Sequence, residues 1–139
     1  MRWLWVTRPD TWSSMDSDGP EPVRWTCDEN TRRGDVALLY RAEIGDFSHL
    51  FEVTEDAVEI SEKARSGFAW NWWCWADVAV NLSRPIPLQN VRREPGLREW
   101  IAAEVNFHGT AFPVEPAEWR ALLDLASPSD RIALRHAGG

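Results

Sequence analysis

Residues 2–7 open the chain with strict alternation. Leu4 and Val6 fall on one face and Trp3 and Trp5 on the other, the period of a strand. Pro9 ends it, and Asp10 to Pro22 is polar and turn-rich, a loop with room for one helical turn over Asp10–Met15. Val23 to Cys27 predicts a short strand. Thr31-Arg32-Arg33-Gly34-Asp35 is turn chemistry directly before Val36–Tyr40, an apolar run of buried-strand length. Gly45-Asp46 marks a second turn and Leu50 to Thr54 resumes the strand pattern, so 36–54 reads as a hairpin. Residues 55–69 carry mixed charge without a period and are assigned to loop or short helix. Cys74 to Leu82 alternates again: Cys74, Ala76, Val78, Val80 and Leu82 on one face, Trp73, Trp75, Asp77 and Asn81 on the other. Pro85 and Pro87 are expected to end that strand.

Helical spacing comes late. Pro95 precedes Leu97, Trp100, Ile101 and Val105, and Pro116 precedes Trp119, Leu122, Leu123 and Ala126, with proline suited to a first helical turn. Thr110–Val114 fits one more short strand between them. The stretch from Ser127 is expected to be a partly disordered tail, 127–139, behind a domain spanning 1–126. Five or six short strands followed by two helices predict an α+β fold: a mixed β-barrel-like domain with peripheral helices.

The 139 residues fit one domain, and 44% hydrophobic with 27% charged residues is ordinary globular usage. No apolar stretch approaches the ~20 residues of a membrane span. Residues 1–6 lead at once into Thr7-Arg8-Pro9-Asp10, which lacks the apolar region of a signal peptide. The two cysteines, Cys27 and Cys74, form no disulfide framework or metal motif by spacing, and the expectation is two reduced thiols in a cytoplasmic protein. The formal charge is −7, which opposes non-specific binding to a phosphate backbone. Lys63 is the one lysine; every other basic residue is an arginine, suited to planar, bidentate contacts.

Catalytic signatures do not emerge. There is no GxGxxG, no Gly-Lys-Ser/Thr phosphate loop, no HExxH, no CxxC and no GxSxG. His49, His108 and His136 lack metal-ligand spacing. The pairs Asp28-Glu29 and Glu55-Asp56 are adjacent residues, which point apart in strands. No catalytic, metal or cofactor site is therefore assigned. What stands out is ten tryptophans against one tyrosine, and the run Trp70-Asn71-Trp72-Trp73-Cys74-Trp75 together with Trp25. Strand alternation sends neighbours to opposite faces, so the four tryptophans of that run cannot all enter one core. Aromatic faces beside an amide or carboxyl group suit a planar polar ligand such as a nucleobase.

In order along the chain stand Trp3-Leu4-Trp5-Val6-Thr7-Arg8-Pro9-Asp10-Thr11-Trp12, Trp25-Thr26-Cys27, Arg32-Arg33-Gly34-Asp35 before Leu38-Leu39-Tyr40, and Leu50-Phe51-Glu52-Val53. Arg84-Pro85-Ile86-Pro87-Leu88 and Phe112-Pro113-Val114-Glu115-Pro116 with Trp119 complete the series. Over residues 2 to 126 this series resembles the EVE domain family of the PUA-like superfamily, related to YTH domains. The resemblance implies a PUA-like fold, a strongly curved mixed β-barrel of five or six strands, and a non-catalytic module that takes a modified nucleobase into an aromatic-lined pocket, modified cytosine in DNA ahead of RNA. It also implies a possible partner protein such as a restriction or defence module. By position, the pocket would draw on Trp25, Cys27, Trp72, Trp73, Trp75, Asn106 and Phe107. Backbone phosphates would fall to Arg8, Arg24, Arg32, Arg33 and Arg41. Two other readings stand beside it: a small-molecule or protein-interaction domain of the same fold, and an enzyme for which Asp77 and Cys74 are the nearby candidates.

Overall fold

The computed structural model describes residues 1–7, 23–59, 72–104 and 111–138. Among them, seven strands form one sheet: β1 (Arg2–Thr7), β2 (Val23–Thr26), β3 (Val36–Arg41), β4 (Asp46–Val53), β5 (Val58–Glu59), β6 (Trp72–Pro87) and β7 (Ala111–Val114). The order is β2-β6-β4-β3-β1-β7, with the two-residue β5 paired to β6. That short strand raises the count above the five or six expected. β1 runs parallel to β3 and the remaining pairs are antiparallel, so the sheet is mixed. It curls far enough for Trp5 of β1 to stack on Trp25 of β2, 6.2 Å between ring centroids and 13° between planes, although the two strands lie four positions apart in the sheet order.

Alternation sorts the side chains into two cores. Leu4, Leu38, Tyr40, Phe47 and Leu50 join the helices in a large core, whereas Trp3, Trp5, Trp25, Ala37, Leu39, Phe51, Val53, Cys74 and Ala76 form a smaller aromatic one. The single face drawn above for Cys74 through Leu82 is corrected here. Phe51 pairs with Val78 and Leu50 with Val80, so Ala79 is an extra residue on β6. One extra residue inverts the parity of a strand. Val78 therefore packs on the aromatic core and Val80 on the helical one.

β6 is also longer than expected, since Pro85 lies within it. The ladder to β4 jumps from His49–Asn81 to Phe47–Ile86, so Pro85 has no ladder donor to withhold. The freed backbone there is held by Asp130, whose carboxylate accepts from the Ser83 and Arg84 amides at 2.9 and 3.0 Å and from the Ser83 hydroxyl at 2.9 Å. Asp130 belongs to a helix that occupies the stretch expected to fray.

The helices are α1 (Leu88–Arg93), α2 (Ile101–Glu104), α3 (Pro116–Leu125) and α4 (Pro128–Gly138), with a 3-10 turn at Pro95–Leu97. α1 starts as soon as Pro87 closes β6, a helix the periodicity did not reveal. α3 follows its prediction, Pro116 standing in the first turn and Trp119, Leu122 and Leu123 buried. α4 docks through Asp130, Leu134 and its last turn: Arg2 Nε donates to the Gly138 carbonyl at 3.0 Å. A Cβ at Gly138 would come within 2.6 Å of the Trp119 ring, so only glycine fits there without a shift. The expected helical turn at Asp10–Met15 lies outside the described residues.

Candidate functional site

The Arg32-Arg33-Gly34-Asp35 turn is built around a buried carboxylate. Asp35 accepts from the Met1 amino group at 3.0 Å, the Trp3 indole at 3.0 Å and the Arg32 amide at 2.9 Å, while Gly34 takes φ 92°, where glycine alone is unstrained. The turn thus fastens the start of β1 and one tryptophan to the entry of β3. The other two tryptophans of this core differ. The indole nitrogens of Trp5 and Trp25 are buried and have no hydrogen-bond partner among the described residues. Thr31 Oγ1 is buried too and has no hydrogen-bond partner among the described residues. Buried donors are nearly always paired, so a set of unpaired ones asks for a ligand or water.

Strand pairing decides which expected site residues meet. Trp25 lies opposite Cys74, Thr26 opposite Trp73, and the Cys27 amide donates to the Trp72 carbonyl at 3.1 Å. Trp25, Cys27 and Cys74 therefore share the aromatic core, with Trp25 buried and Cys27 half-buried, and Trp72, also half-buried, falls on the same side of β6 by alternation without belonging to that core. Trp73 and Trp75 are on the opposite face. Trp75 is 39% exposed, and the Arg24 guanidinium lies 3.7 Å from the Trp73 ring centroid and 5.8 Å from that of Trp75. The expected pocket is thus split by the sheet: Trp25 and Cys27 come together with Trp72 on the same side of β6, and Arg24, Trp73 and Trp75 form a separate outer ladder. Asn106, Phe107 and Arg8 lie outside the described residues.

The arginines also differ among themselves. Arg24 and Arg33 are exposed. Arg32 donates to the Glu29 and Thr31 carbonyls at 2.8 and 3.0 Å. Arg41 sits at the far end of β3, in a two-point ion pair with Asp46 at 2.8 Å for each bond. A recess of about 540 Å³, with Arg2, Trp119, Arg120 and Arg135 in its lining, takes none of its walls from β2 or β6.

The two cysteines are neighbours. The Cys74 thiol beside it, with help from the Thr31 hydroxyl, holds the Cys27 thiol below the ordinary cysteine range despite burial and the Asp28 charge. Cys74 is pushed far up, by its Cys27 neighbour and by its burial. Cys74 and Asp77 face opposite sides of β6, which separates the two residues an enzyme here would have combined. Among the described residues no group of His, Cys, Asp and Glu is arranged to hold a metal ion. Sequence reading missed Trp5 and Thr31: Trp5 was placed on the right face of β1, but nothing in a period-2 pattern says that its N–H goes unpaired.

The family model for the EVE domain matches residues 1–125, and the chain belongs to that family. The curled mixed sheet with its peripheral helices is the PUA-like half-barrel, and solved structures agree. Rpa0253 from Rhodopseudomonas palustris is 22% identical, with 90% of this chain and 92% of that one covered at a TM-score of 0.70. A Pseudomonas putida protein is 16% identical, with 90% and 99% covered at 0.73. Human THYN1, solved in complex with 5-methylcytosine-containing DNA, is 12% identical, with 91% and 99% covered at 0.67. A comparison with curated proteins finds no match. No helix among the described residues is long and apolar enough to cross a membrane.

Proposed function

We propose that the chain is a non-catalytic reader of a modified nucleobase, with modified cytosine in DNA as its ligand. The observation that carries this reading is the pair of stacked, buried tryptophans, Trp5 and Trp25, whose indole N–H groups have no partner among the described residues. Indole rings stack on a base, and their donors suit the acceptor atoms of its Watson–Crick edge. Each base–aromatic stack contributes roughly 1–3 kcal/mol. A methyl group adds only about 0.8 kcal/mol, so selectivity for it requires the dry, close-fitting surroundings that Phe51, Leu39 and Cys74 offer. Membership of the EVE family and the DNA complex of human THYN1, a protein of the same fold, support the same ligand class. On this reading the exposed Arg24, Arg32 and Arg33 would meet phosphates, with Arg8 preceding β2 in sequence.

The net charge of −7 favours a second reading, a small-molecule or protein-partner domain of this fold. Salt separates the two, because a phosphate-contacting reader weakens steeply as ionic strength rises. The deciding experiment is a tryptophan fluorescence titration with matched oligonucleotides, with and without 5-methylcytosine, at low and moderate salt. Preferential quenching by the methylated strand that weakens with salt, and is lost in Trp25→Phe, is the expected result. No response to either strand would sink the reading and leave the fold untouched.

A further inference from the structure

Cys27 and Cys74 are 47 positions apart in sequence and are the only cysteines of the chain. The β2–β6 register, continued by the Cys27 amide on the Trp72 carbonyl, nevertheless sets them on one face of adjacent strands, as diagonal neighbours beside the Trp25–Cys74 pair in the aromatic core. Cys27 follows the end of β2, an edge strand, and its amide still donates to the Trp72 carbonyl, which keeps it beside β6. It is half-buried and Cys74 is fully buried. One thiol of the pair is therefore reachable from solvent and the other is not.

We propose that Cys27 and Cys74 form an oxidation site, in which a hydroperoxide attacks at Cys27 and Cys74 resolves the product as an intramolecular disulfide. The Cys27 thiolate attacks the peroxide O–O bond, giving a Cys27 sulfenic acid and an alcohol or water after one proton is taken up. The Cys74 sulfur then attacks the sulfenic sulfur. The S–S bond forms, the S–O bond breaks, and the hydroxyl leaves as water with the Cys74 proton. Two electrons pass from the two thiols to the peroxide, and no other oxidant is needed. The depressed thiol is the reactive one because the thiolate is the nucleophile, and the raised thiol beside it stays protected until its neighbour has reacted. The site stands whether or not the aromatic core takes a base.

The test treats the reduced chain with hydrogen peroxide and follows intact mass, free thiols and oligomeric state together. The expected result is a monomer that has lost two hydrogens and both titratable thiols, reversed by a dithiol reductant. Cys74→Ser is expected to accumulate a Cys27 sulfenic acid trapped by dimedone, and Cys27→Ser to leave Cys74 unmodified over the same time. Tryptophan fluorescence is expected to fall on oxidation of the unaltered chain alone, since Trp25 is the strand partner of Cys74 and disulfides quench nearby indoles. Disulfide-linked dimers, over-oxidation without a crosslink, or two thiols surviving peroxide would each overturn the proposal.

Discussion

The two cores of this molecule use tryptophan differently. In the helical core Trp100 is buried and donates from its indole to the Pro113 carbonyl at 3.1 Å, and the buried Asp130 has its oxygens occupied by Ser83 and Arg84. In the aromatic core Trp3 is satisfied by Asp35, but Trp5 and Trp25, equally buried, keep unpaired N–H groups. An unpaired buried donor costs about 1–3 kcal/mol. Among the described residues the helical core pairs these polar groups and the aromatic core leaves two indole donors unpaired, a contrast that the proposed base pocket would explain.

The contrast breaks first at Asp130. Asp130→Ala removes the acceptor for two amides and a hydroxyl and unpins α4 from β6, so a loss of roughly 3 kcal/mol or more is expected in denaturant unfolding. Asp130 also sets a pH dependence. Burial raises its carboxyl pKa, but the Arg84 and Ser83 amides and the Ser83 and Ser127 hydroxyls outweigh burial and hold it below the ordinary range. A folded pKa below the unfolded one means the contribution is complete above the unfolded value of about 3.9 and is lost as pH falls through the folded value. Asp130→Ala is therefore expected to flatten the acid limb of the stability profile.

At the other end of α4, Gly138→Ala is expected to cost about 1–3 kcal/mol by overpacking. The Cβ meets the Trp119 ring and forces the last turn off its Arg2 anchor. A thermal melt checks it. An unchanged melting temperature would mean that the end of α4 gives way freely.

Tryptophan-to-phenylalanine changes sharpen the comparison directly. Trp100→Phe and Trp25→Phe delete the same ring volume, so the difference between them isolates the hydrogen bond. Trp100→Phe loses a bond and strands the Pro113 carbonyl; Trp25→Phe removes a donor that had no partner. Trp100→Phe is expected to be the more destabilising by about 1 kcal/mol. Equal losses would mean that Trp25 is satisfied in solution, and the ligand argument would lose its footing.

Much of the fold could be read in advance because period-2 alternation and proline punctuation are local signals: β1, β3, the hairpin and α3 all appear where they were placed. What escaped was non-local. The extra residue at Ala79 has no mark in a clean alternating run, so Val78 and Val80 were put on one face. Pro85 stays in β6 because Asp130, far away in sequence, holds the backbone beside it. The tail becomes α4 because Asp130 and Leu134 have a β6 surface to dock on. The candidate site was legible as an aromatic segment but not as two surfaces. Trp25, Cys27 and Cys74 share the inner face only because β2 pairs with β6 in the observed register, and the alternation of β6 sends Trp73 and Trp75 outward.

The outer ladder supplies the smallest expected effect and the finest distinction. Arg24 lies over Trp73 at the sheet surface, and an exposed cation–π contact is worth about 0.5–1 kcal/mol. Arg24→Ala is therefore expected to cost that amount at most, and Trp75→Ala, at an exposed position, no more than about 0.5 kcal/mol. Their effects on binding are expected to diverge. If Arg24 meets phosphate, its loss weakens methylated and unmethylated oligonucleotides alike and makes the salt dependence shallower, while the preference for the methylated strand persists. Trp25→Phe is expected to do the reverse, erasing the preference and leaving the salt slope in place. A change in methyl preference on losing Arg24 or Trp75 would put the base on the outer face of β6, and Trp5 and Trp25 would then be core residues like Trp100.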